Sequence, residues 1–190
     1  HLAKRDITEE QLPEREKDFS LSVAGVGRFR VNIYKQRGSF SAVLRYVPFD
    51  LPDPAKLGIP VQVMQLSECK SGIVLITGVA SSGKSTTLSC ILDRINQSRS
   101  GHIITIEDPI EFLHKHNRCI VSQREINIDT DSYIDALRAA LRQSPDVILL
   151  GEMRDYETIS VAMTAAETGQ LVLSTLHTLG AANTIDRIID

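Results

Sequence analysis

The segment Gly78-Val-Ala-Ser-Ser-Gly83-Lys84-Ser85 constrains the fold of this 190-residue chain more than any other feature. It fits the pattern G-x-x-x-x-G-K-[ST], the Walker A loop, and it stands between an apolar run, Ile73–Thr77, and a helical stretch, Lys84–Asn96. Glycines let backbone amides turn inward on phosphates, and the N-terminus of the following helix presents unpaired N–H groups to the same anion. The pattern therefore predicts a phosphate-binding loop that consists of Gly78, Val79, Ala80, Ser81, Ser82, Gly83, Lys84, Ser85 and Thr86.

Two side chains of this loop have the chemistry that a nucleotide requires. Lys84 is expected to reach the outer phosphates, and the Ser85 hydroxyl is expected to ligate Mg²⁺. The alternative is a glycine turn followed by a chance lysine, which the correct strand and helix on either side argue against. The predicted ligands are accordingly ATP and Mg²⁺.

The second half of the chain alternates between two kinds of segment. Short apolar runs, typical of parallel strands buried on both faces, occur at Ile73–Thr77, Ile103–Ile106, Val147–Leu150 and Leu171–Ser174. Helical stretches lie between them, at Lys84–Asn96, Ser132–Arg142 and Asp155–Glu167. This alternation predicts a doubly wound α/β domain over residues 61–190.

The first half has a different pattern. Alternating apolar residues from Phe19 to Val47, with turns near Gly27 and Gly38, predict three short antiparallel strands in a small sheet domain, residues 1–47. The charged residues 1–16 are expected to form a loosely held lead-in. Four prolines within residues 48–60 predict a linker, because proline fixes φ and removes an amide donor. The chain begins with His1 and stops within a helical pattern, so we expect a fragment of a longer protein.

Acidic residues follow two of the predicted strands. Glu107, Asp108 and Glu111 come at the end of the run that starts at His102, and Glu152 follows Val147–Leu150 through Gly151. Ligands of open α/β sheets bind at the carboxyl ends of the strands, and an acid at that place is the Walker B arrangement that holds magnesium. The alternative for the first group is an acidic loop with no role.

A histidine, His177, stands after the last predicted strand, Leu171–Ser174. A single histidine is more often a hydrogen-bonded structural residue than a catalyst. The residues alone therefore leave its role open.

Composition excludes several classes of function. A net charge of −3 and 5% aromatic residues give no support for a nucleic-acid partner. The absence of an 18-residue apolar run argues against direct membrane insertion. The three cysteines form no CxxC pair, which argues against a zinc site or a disulfide framework and suits a reducing cytoplasm.

Four further motifs follow the Walker A loop in a fixed order: IEDPIEF, GEMRD, AAETG and STLHT. Together they resemble the secretion ATPases of type II and type IV pilus systems, above all the PilT-like retraction ATPases of twitching motility. The resemblance extends from GRFRVN near residue 27 to TIDRIID at the end. It implies a RecA-like P-loop NTPase core, lacking its C-terminal helices, preceded by a small antiparallel-sheet (PAS-like) domain.

The resemblance also implies an activity and its setting. The activity would be ATP hydrolysis coupled to mechanical work by a homo-hexameric ring. The ring would lie in the cytoplasm at the inner face of the cell membrane. Its partner would be the inner-membrane platform protein of the pilus machinery.

The same resemblance assigns roles to individual residues. Glu107 would be the catalytic glutamate that orients or deprotonates the attacking water, and Glu152 would act through magnesium. His177 would couple the nucleotide state to movement. Arg30 and Arg45 would reach a bound nucleotide from a neighbouring domain or subunit, where a guanidinium can stabilise charge on the transferring phosphoryl group. Without the resemblance, solvated strand arginines would be the preferred interpretation.

Two positions depart from the family pattern. Ser82 stands where the family usually has a glycine. The family's His box, the motif to which His177 would belong, usually begins with another histidine, and Gln170 replaces it here. The chain also ends before the helices that carry the signature of retraction ATPases. The absence of a four-cysteine insert counts against the extension and type II secretion branches.

The alternatives left open are an extension or type II secretion ATPase, a conjugative or DNA-translocating ATPase, and a non-enzymatic nucleotide-sensing subunit.

Overall fold

The structure is a computed structural model in which residues 16–24, 26–47 and 51–189 are described. The lead-in predicted over residues 1–16 lies outside the described residues, apart from its last residue. The chain separates into two compact units, His1–Asp50 and Leu51–Asp190.

The first unit is a three-stranded antiparallel sheet in the order β1-β2-β3. Its strands are β1 (Glu16–Val23), β2 (Gly27–Gln36) and β3 (Ser39–Val47), which confirms the predicted small sheet. Gly27 opens β2 at φ +147, and a Cβ at this position would lie 2.3 Å from the ring of Tyr46. The tyrosine on β3 therefore requires glycine at the start of β2.

The second unit contains five parallel strands. They are β4 (Gly72–Thr77), β5 (Gly101–Glu107), β6 (Cys119–Glu125), β7 (Val147–Leu150) and β8 (Leu171–Leu176). Their spatial order is β4-β8-β7-β5-β6, which confirms the predicted α/β class with a parallel sheet. The sequence pattern missed β6, because only part of this edge strand is buried and its residues are half polar.

Helices connect these strands. They are α1 (Val61–Met64), continued by a 3₁₀ turn at Gln65–Glu68, α2 (Lys84–Ser98), α3 (Tyr133–Leu141), α4 (Tyr156–Glu167) and α5 (Ala181–Ile189). The predicted starts of α3 and α4 differ by one residue from those observed because Ser132 and Asp155 are N-caps, whose side chains accept hydrogen bonds from the first-turn amides. None of the helices in the described part of the chain has both the length and the apolar character that a membrane span requires.

The core of the second unit lies on both faces of the sheet. Ile104 and Ile148 belong to a cluster with α3 and α4 on one face. Their neighbours Ile103 and Val147 belong to a second cluster with α2 on the other face. Successive residues of a strand point to opposite faces, so a strand covered on both sides must be apolar at nearly every position. This explains the continuous apolar runs that the sequence shows.

The proline-rich segment 48–60 differs from an unpacked linker in the part that the structure describes. Asp53–Gly58 forms a hydrogen-bonded turn, and Ile59 packs against the α2 side of the core. The Pro52 carbonyl accepts a hydrogen bond from the thiol of Cys90 on α2 at 3.7 Å. Proline and Asp side chains stabilise turns as well as linkers, so this composition is compatible with a packed segment.

Candidate nucleotide site

The carboxyl ends of the parallel strands meet at one edge of the second unit and surround a cavity of about 290 Å³. The segments that follow β4, β5, β7 and β8 all contribute to its wall. The structure thus brings together most of the residues that the sequence predicted as functional in this unit. Those lining the cavity are Ala80, Ser81, Lys84, Ser85, Glu107, Glu152 and His177.

The Walker A loop has the backbone conformation that an anion site needs. Gly78, Ser81 and Gly83 all have positive φ values, and Gly83, in the left-handed region, is the N-cap of α2. Among the described residues no side chain caps this helix, so its first-turn amides remain available to an anion. A Cβ on Gly78 would lie 3.0 Å from the hydroxyl oxygen of Ser82, which turns back across the loop.

Lys84 is held against its own loop. Its Nζ donates hydrogen bonds to the carbonyl oxygens of Gly78 at 3.0 Å and Val79 at 2.8 Å, and the residue is only 8% exposed. The ammonium group is therefore positioned against the backbone of the predicted phosphate loop. A bound phosphate would compete with these two carbonyls for its donors.

Glu107 is a buried carboxylate at the end of β5. Its Oε1 accepts hydrogen bonds from Thr105 Oγ1 at 2.6 Å and Gln123 Nε2 at 3.3 Å, and its Oε2 accepts one from Glu111 N at 3.4 Å. Burial raises the pKa of Glu107 from 4.5 to about 7, although these hydrogen bonds oppose the shift. A carboxylate with a pKa near neutrality, in a cavity, is suited to accept and release a proton at physiological pH.

Glu152 lies between two basic side chains. Arg154 Nη2 is 2.5 Å from Glu152 Oε1, and His177 Nε2 is 3.7 Å from Glu152 Oε2, close enough for an ion pair when the imidazole is protonated. The Gly151 carbonyl accepts a hydrogen bond from Thr175 Oγ1 at 2.6 Å, which ties the end of β7 to β8. His177, at the end of β8, is thereby placed beside the acid that follows β7.

Gly151 is required by its neighbours. A Cβ there would lie 2.9 Å from the Tyr133 hydroxyl and 3.4 Å from the Cα of Glu107. The Tyr133 ring packs on the core while its hydroxyl reaches the cavity. Its pKa is raised by burial and by the charges of Glu152, Asp108 and Glu107.

The residues of the cavity fit a magnesium ion that arrives with a nucleotide. The Ser85 hydroxyl and the Glu152 carboxylate, both oxygen donors, line the same space. Within the described residues there is no group of three or more His, Cys, Asp or Glu side chains that could form a metal cage. Magnesium characteristically takes one or two protein ligands and completes its shell with phosphates and water.

Arg30 and Arg45 belong to the first unit and are directly opposite each other on β2 and β3. Like charges at opposite positions of an antiparallel pair destabilise a sheet. Neither guanidinium has a hydrogen-bonded or ion-paired partner among the described residues. The pair is therefore a site of concentrated positive charge that an anion would stabilise.

Gln170 lies far from the cavity. It immediately precedes β8, whereas His177 follows the same strand, so the two are separated by roughly 20 Å at about 3.3 Å per residue. The Gln170 side chain accepts a hydrogen bond from Thr168 Oγ1 at 2.9 Å. The departure from the family pattern at this position therefore lies at the amino ends of the parallel strands, whereas the candidate nucleotide site lies at their carboxyl ends.

Four residues near the cavity were not singled out from the sequence: Thr105, Gln123, Tyr133 and Arg154. Arg154 could have been found, since it is part of the GEMRD motif. Gln123 could not, because the strand that carries it was not predicted. Thr86, predicted with the phosphate loop, lies in the first turn of α2 but does not line the cavity.

A family model for type II/IV secretion system proteins matches residues 1–190. The chain belongs to this family. The type IV pilus retraction ATPase PilT of Pseudomonas aeruginosa is 52% identical over 175 residues, covering 92% of this chain and 51% of the relative. The twitching motility protein of Neisseria gonorrhoeae is 49% identical, covering 92% of this chain and 47% of the relative.

The solved structures include a close match from the same family. A crystal structure of the pilus retraction motor PilT with bound ADP superimposes with a TM-score of 0.89 at 56% identity, over 93% of this chain and 51% of that one. This confirms the predicted fold and the predicted resemblance. The chain spans about half the length of the curated relatives that it matches.

The raised pKa of Glu107 should make the free energy of unfolding depend on pH. The folded state favours the protonated acid, so its contribution to the free energy of unfolding falls as the pH rises from 4.5 to about 7. Glu107→Gln removes this effect, so we expect the variant to gain up to about 3 kcal/mol over the unmodified protein at pH 8 and little at pH 4.5. Thermal unfolding without nucleotide at both pH values measures this, with Glu167→Gln, which replaces an exposed acid at the end of α4, as control. An equal difference in Tm at the two pH values would contradict it.

Proposed function

We propose that this protein is an ATPase motor subunit that drives the retraction of type IV pili and hence twitching motility. The observation that carries the proposal is the combination in one cavity of a phosphate loop and the buried Glu107, whose pKa is about 7. Membership of the family supports the choice of retraction, as do two relatives about half identical to this chain, a type IV pilus retraction ATPase and a twitching motility protein.

The residues of the second unit divide the proposed reaction between them. The loop amides and Lys84 bind the phosphates and neutralise the charge that develops on the β,γ-bridging side. Glu107 takes a proton from water as the water oxygen bonds to the terminal phosphorus. The bond from that phosphorus to the bridging oxygen breaks, and ADP leaves with the electron pair. Magnesium, held by Ser85 and by Glu152 directly or through water, would neutralise phosphate charge when bound.

The first unit supplies two arginines that we propose bind the phosphates of the nucleotide. Arg30 and Arg45, opposite each other on β2 and β3, present two guanidinium groups on one face of the sheet. We assign them to the nucleotide bound by the second unit of the same or a neighbouring subunit. Loss of the terminal phosphate would remove the anion that attracts them, which couples hydrolysis to the relative movement of the units.

His177 has a position suited to transmitting that change. It touches Glu152 on one side and leads through Leu179 and Gly180 into α5 on the other. A change in the charge near Glu152 would therefore alter the position of His177 and, through it, the start of α5. The working assembly in this proposal is a cytoplasmic homo-hexamer, held at the inner face of the membrane by a platform protein of the pilus machinery. Such a ring needs a heterologous interface that closes.

Cells that lack the full-length protein test the direction of the motor. If it drives retraction, these cells should still display surface pili but fail to twitch, because extension does not need the protein. Re-expression of the unmodified protein should restore twitching, and re-expression of Glu107→Gln at the same level should not. Cells that lose their surface pili altogether would instead identify an extension ATPase.

A further inference from the structure

The side-chain amide of Gln123, on the edge strand β6, is bonded to Glu107. Gln123 is the register partner of Thr105 on β5. Its Nε2 donates to Glu107 Oε1 at 3.3 Å and to the Phe112 carbonyl at 3.0 Å, while its Oε1 accepts from His114 N at 2.7 Å. The amide nitrogen thus faces two acceptors and the amide oxygen faces an N–H, so the partners determine the orientation of the amide.

The same amide fixes the segment that follows Glu107. Phe112 and His114 belong to the connection between β5 and β6, and both are bonded through their backbone to Gln123. The far end of that connection is held by Asn96, which is 2% exposed and bonded to the backbone of residues 115, 117 and 119. Asn96 lies near the end of α2, the helix that begins at Lys84. Glu107 is therefore connected through Gln123 to a segment anchored on the phosphate-binding helix.

We infer that Gln123 is a positioning residue for Glu107, which it orients by holding one carboxylate oxygen while the other is left to accept the proton of water. This inference rests on the proposed role of Glu107. Thr105 at 2.6 Å and Gln123 at 3.3 Å both donate to Oε1, whereas among the described residues Oε2 accepts one bond, from Glu111 N at 3.4 Å. Gln123 does not line the cavity, so it acts through Glu107 and not on the nucleotide. A base must be aligned with its water for proton transfer, and small misplacements reduce the rate strongly.

Loss of Gln123 should be detectable as a change in the pKa of Glu107, which depends on the hydrogen bonds and charges around this carboxyl group. Burial and, to a smaller extent, the charge of Glu111 in the following loop raise the pKa of Glu107, whereas the hydrogen bonds from Thr105 and Gln123 lower it. Tyr133 on α3 also interacts with the carboxylate. The remaining charged or titratable residues that line the cavity are Lys84, Asp108, Glu152, Arg154 and His177. Since the donor on Gln123 favours the ionised acid, its removal should keep Glu107 protonated to higher pH.

The test is the pH profile of kcat/KM for ATP hydrolysis by the full-length protein. Gln123→Met removes the donor with little change in volume, and Gln123→Glu replaces it by a group that repels the Glu107 carboxylate. We expect kcat to fall roughly 10-fold with KM for ATP unchanged, because the phosphate loop is untouched. The acid limb of the profile, where kcat/KM falls as Glu107 becomes protonated, should shift to higher pH by roughly 0.5–1 unit in the methionine variant. The shift should be larger in the glutamate variant. Ser122→Ala, on the opposite face of β6, is the matched control and should leave the acid limb in place.

The outcomes separate this inference from the proposed function. If Glu107→Gln is inactive while both Gln123 variants keep the original acid limb, Gln123 is only structural and the inference is overturned. A fall in kcat without a shift of the acid limb leads to the same conclusion. If Glu107→Gln hydrolyses ATP as fast as the unmodified protein, the proposed role of Glu107 fails, and the inference fails with it.

Discussion

Full-length protein carrying Glu107→Gln is expected to bind ATP but to hydrolyse it about 10²- to 10⁴-fold more slowly than the unmodified protein. Glutamine can accept the same hydrogen bonds from Thr105 and Gln123, so the variant should keep the shape of the site. It cannot take a proton from water, which removes the proposed base. Steady-state phosphate release and the Kd for a fluorescent ATP analogue measure the two quantities separately.

The control for this variant is Glu111→Gln. Glu111 lies in the loop that follows Glu107 and lines the same cavity, but it is exposed. Its replacement should change kcat by less than about 3-fold, since no transferred proton is assigned to it. Equal losses in the two variants would show that any change of charge in this segment impairs turnover, and would contradict a specific role for Glu107.

Lys84→Ala is expected to lose both binding and hydrolysis. Its ammonium group is held against the predicted phosphate loop by hydrogen bonds to the Gly78 and Val79 carbonyls. Charge-assisted hydrogen bonds are the strong ones, so the Kd for ATP should rise roughly 10- to 100-fold. Because the proposed mechanism also assigns the lysine to the transferring phosphoryl group, we expect kcat/KM to fall by roughly 10³-fold or more.

A second lysine provides the comparison for Lys84→Ala. Lys70 is exposed and precedes β4, at the opposite end of the strand from the loop. Lys70→Ala removes the same charge without reaching the cavity, so both the Kd and kcat/KM should stay unchanged. Nucleotide binding at full strength by the Lys84 variant would mean that the loop does not hold the phosphates in the way described.

Much of the candidate site could be predicted because Glu107, Glu152 and His177 each stand at the end of an apolar strand or within two residues of it. Glu107 ends β5, Glu152 comes two residues after β7, and His177 comes directly after β8. Parallel strands bring their carboxyl ends to one edge, so sequence position after a strand determines position in space. The Walker A loop is local for the same reason, since its geometry depends on consecutive residues.

The parts that were missed depend on contacts between distant segments. Gln123 reaches Glu107 only because β6 pairs with β5 in a particular register. Tyr133 reaches the cavity because α3 packs against the sheet beside Gly151. The raised pKa of Glu107 likewise comes from burial, which the acidic motif does not reveal. Periodicity identifies elements, but register and packing determine which side chains meet across them.

The two arginines show the same distinction in the first unit. Their assignment came from the family resemblance, whereas the pairing of Arg30 with Arg45 comes from the register of β2 and β3. Two like charges placed opposite each other weaken a sheet. Their presence here is physically understandable if an anion is bound between them during function, which is the proposed role.

In the proposed mechanism, one cavity binds the phosphates of ATP and Glu107 accepts a proton from the water that attacks the terminal phosphate. A single-turnover experiment tests this most directly, in which radiolabelled ATP is mixed with an excess of full-length protein and the reaction is quenched over time. The unmodified protein should convert bound ATP to ADP and phosphate, whereas Glu107→Gln should retain bound ATP that stays uncleaved for at least about 100 times longer. Cleavage at the same rate in both proteins would contradict it.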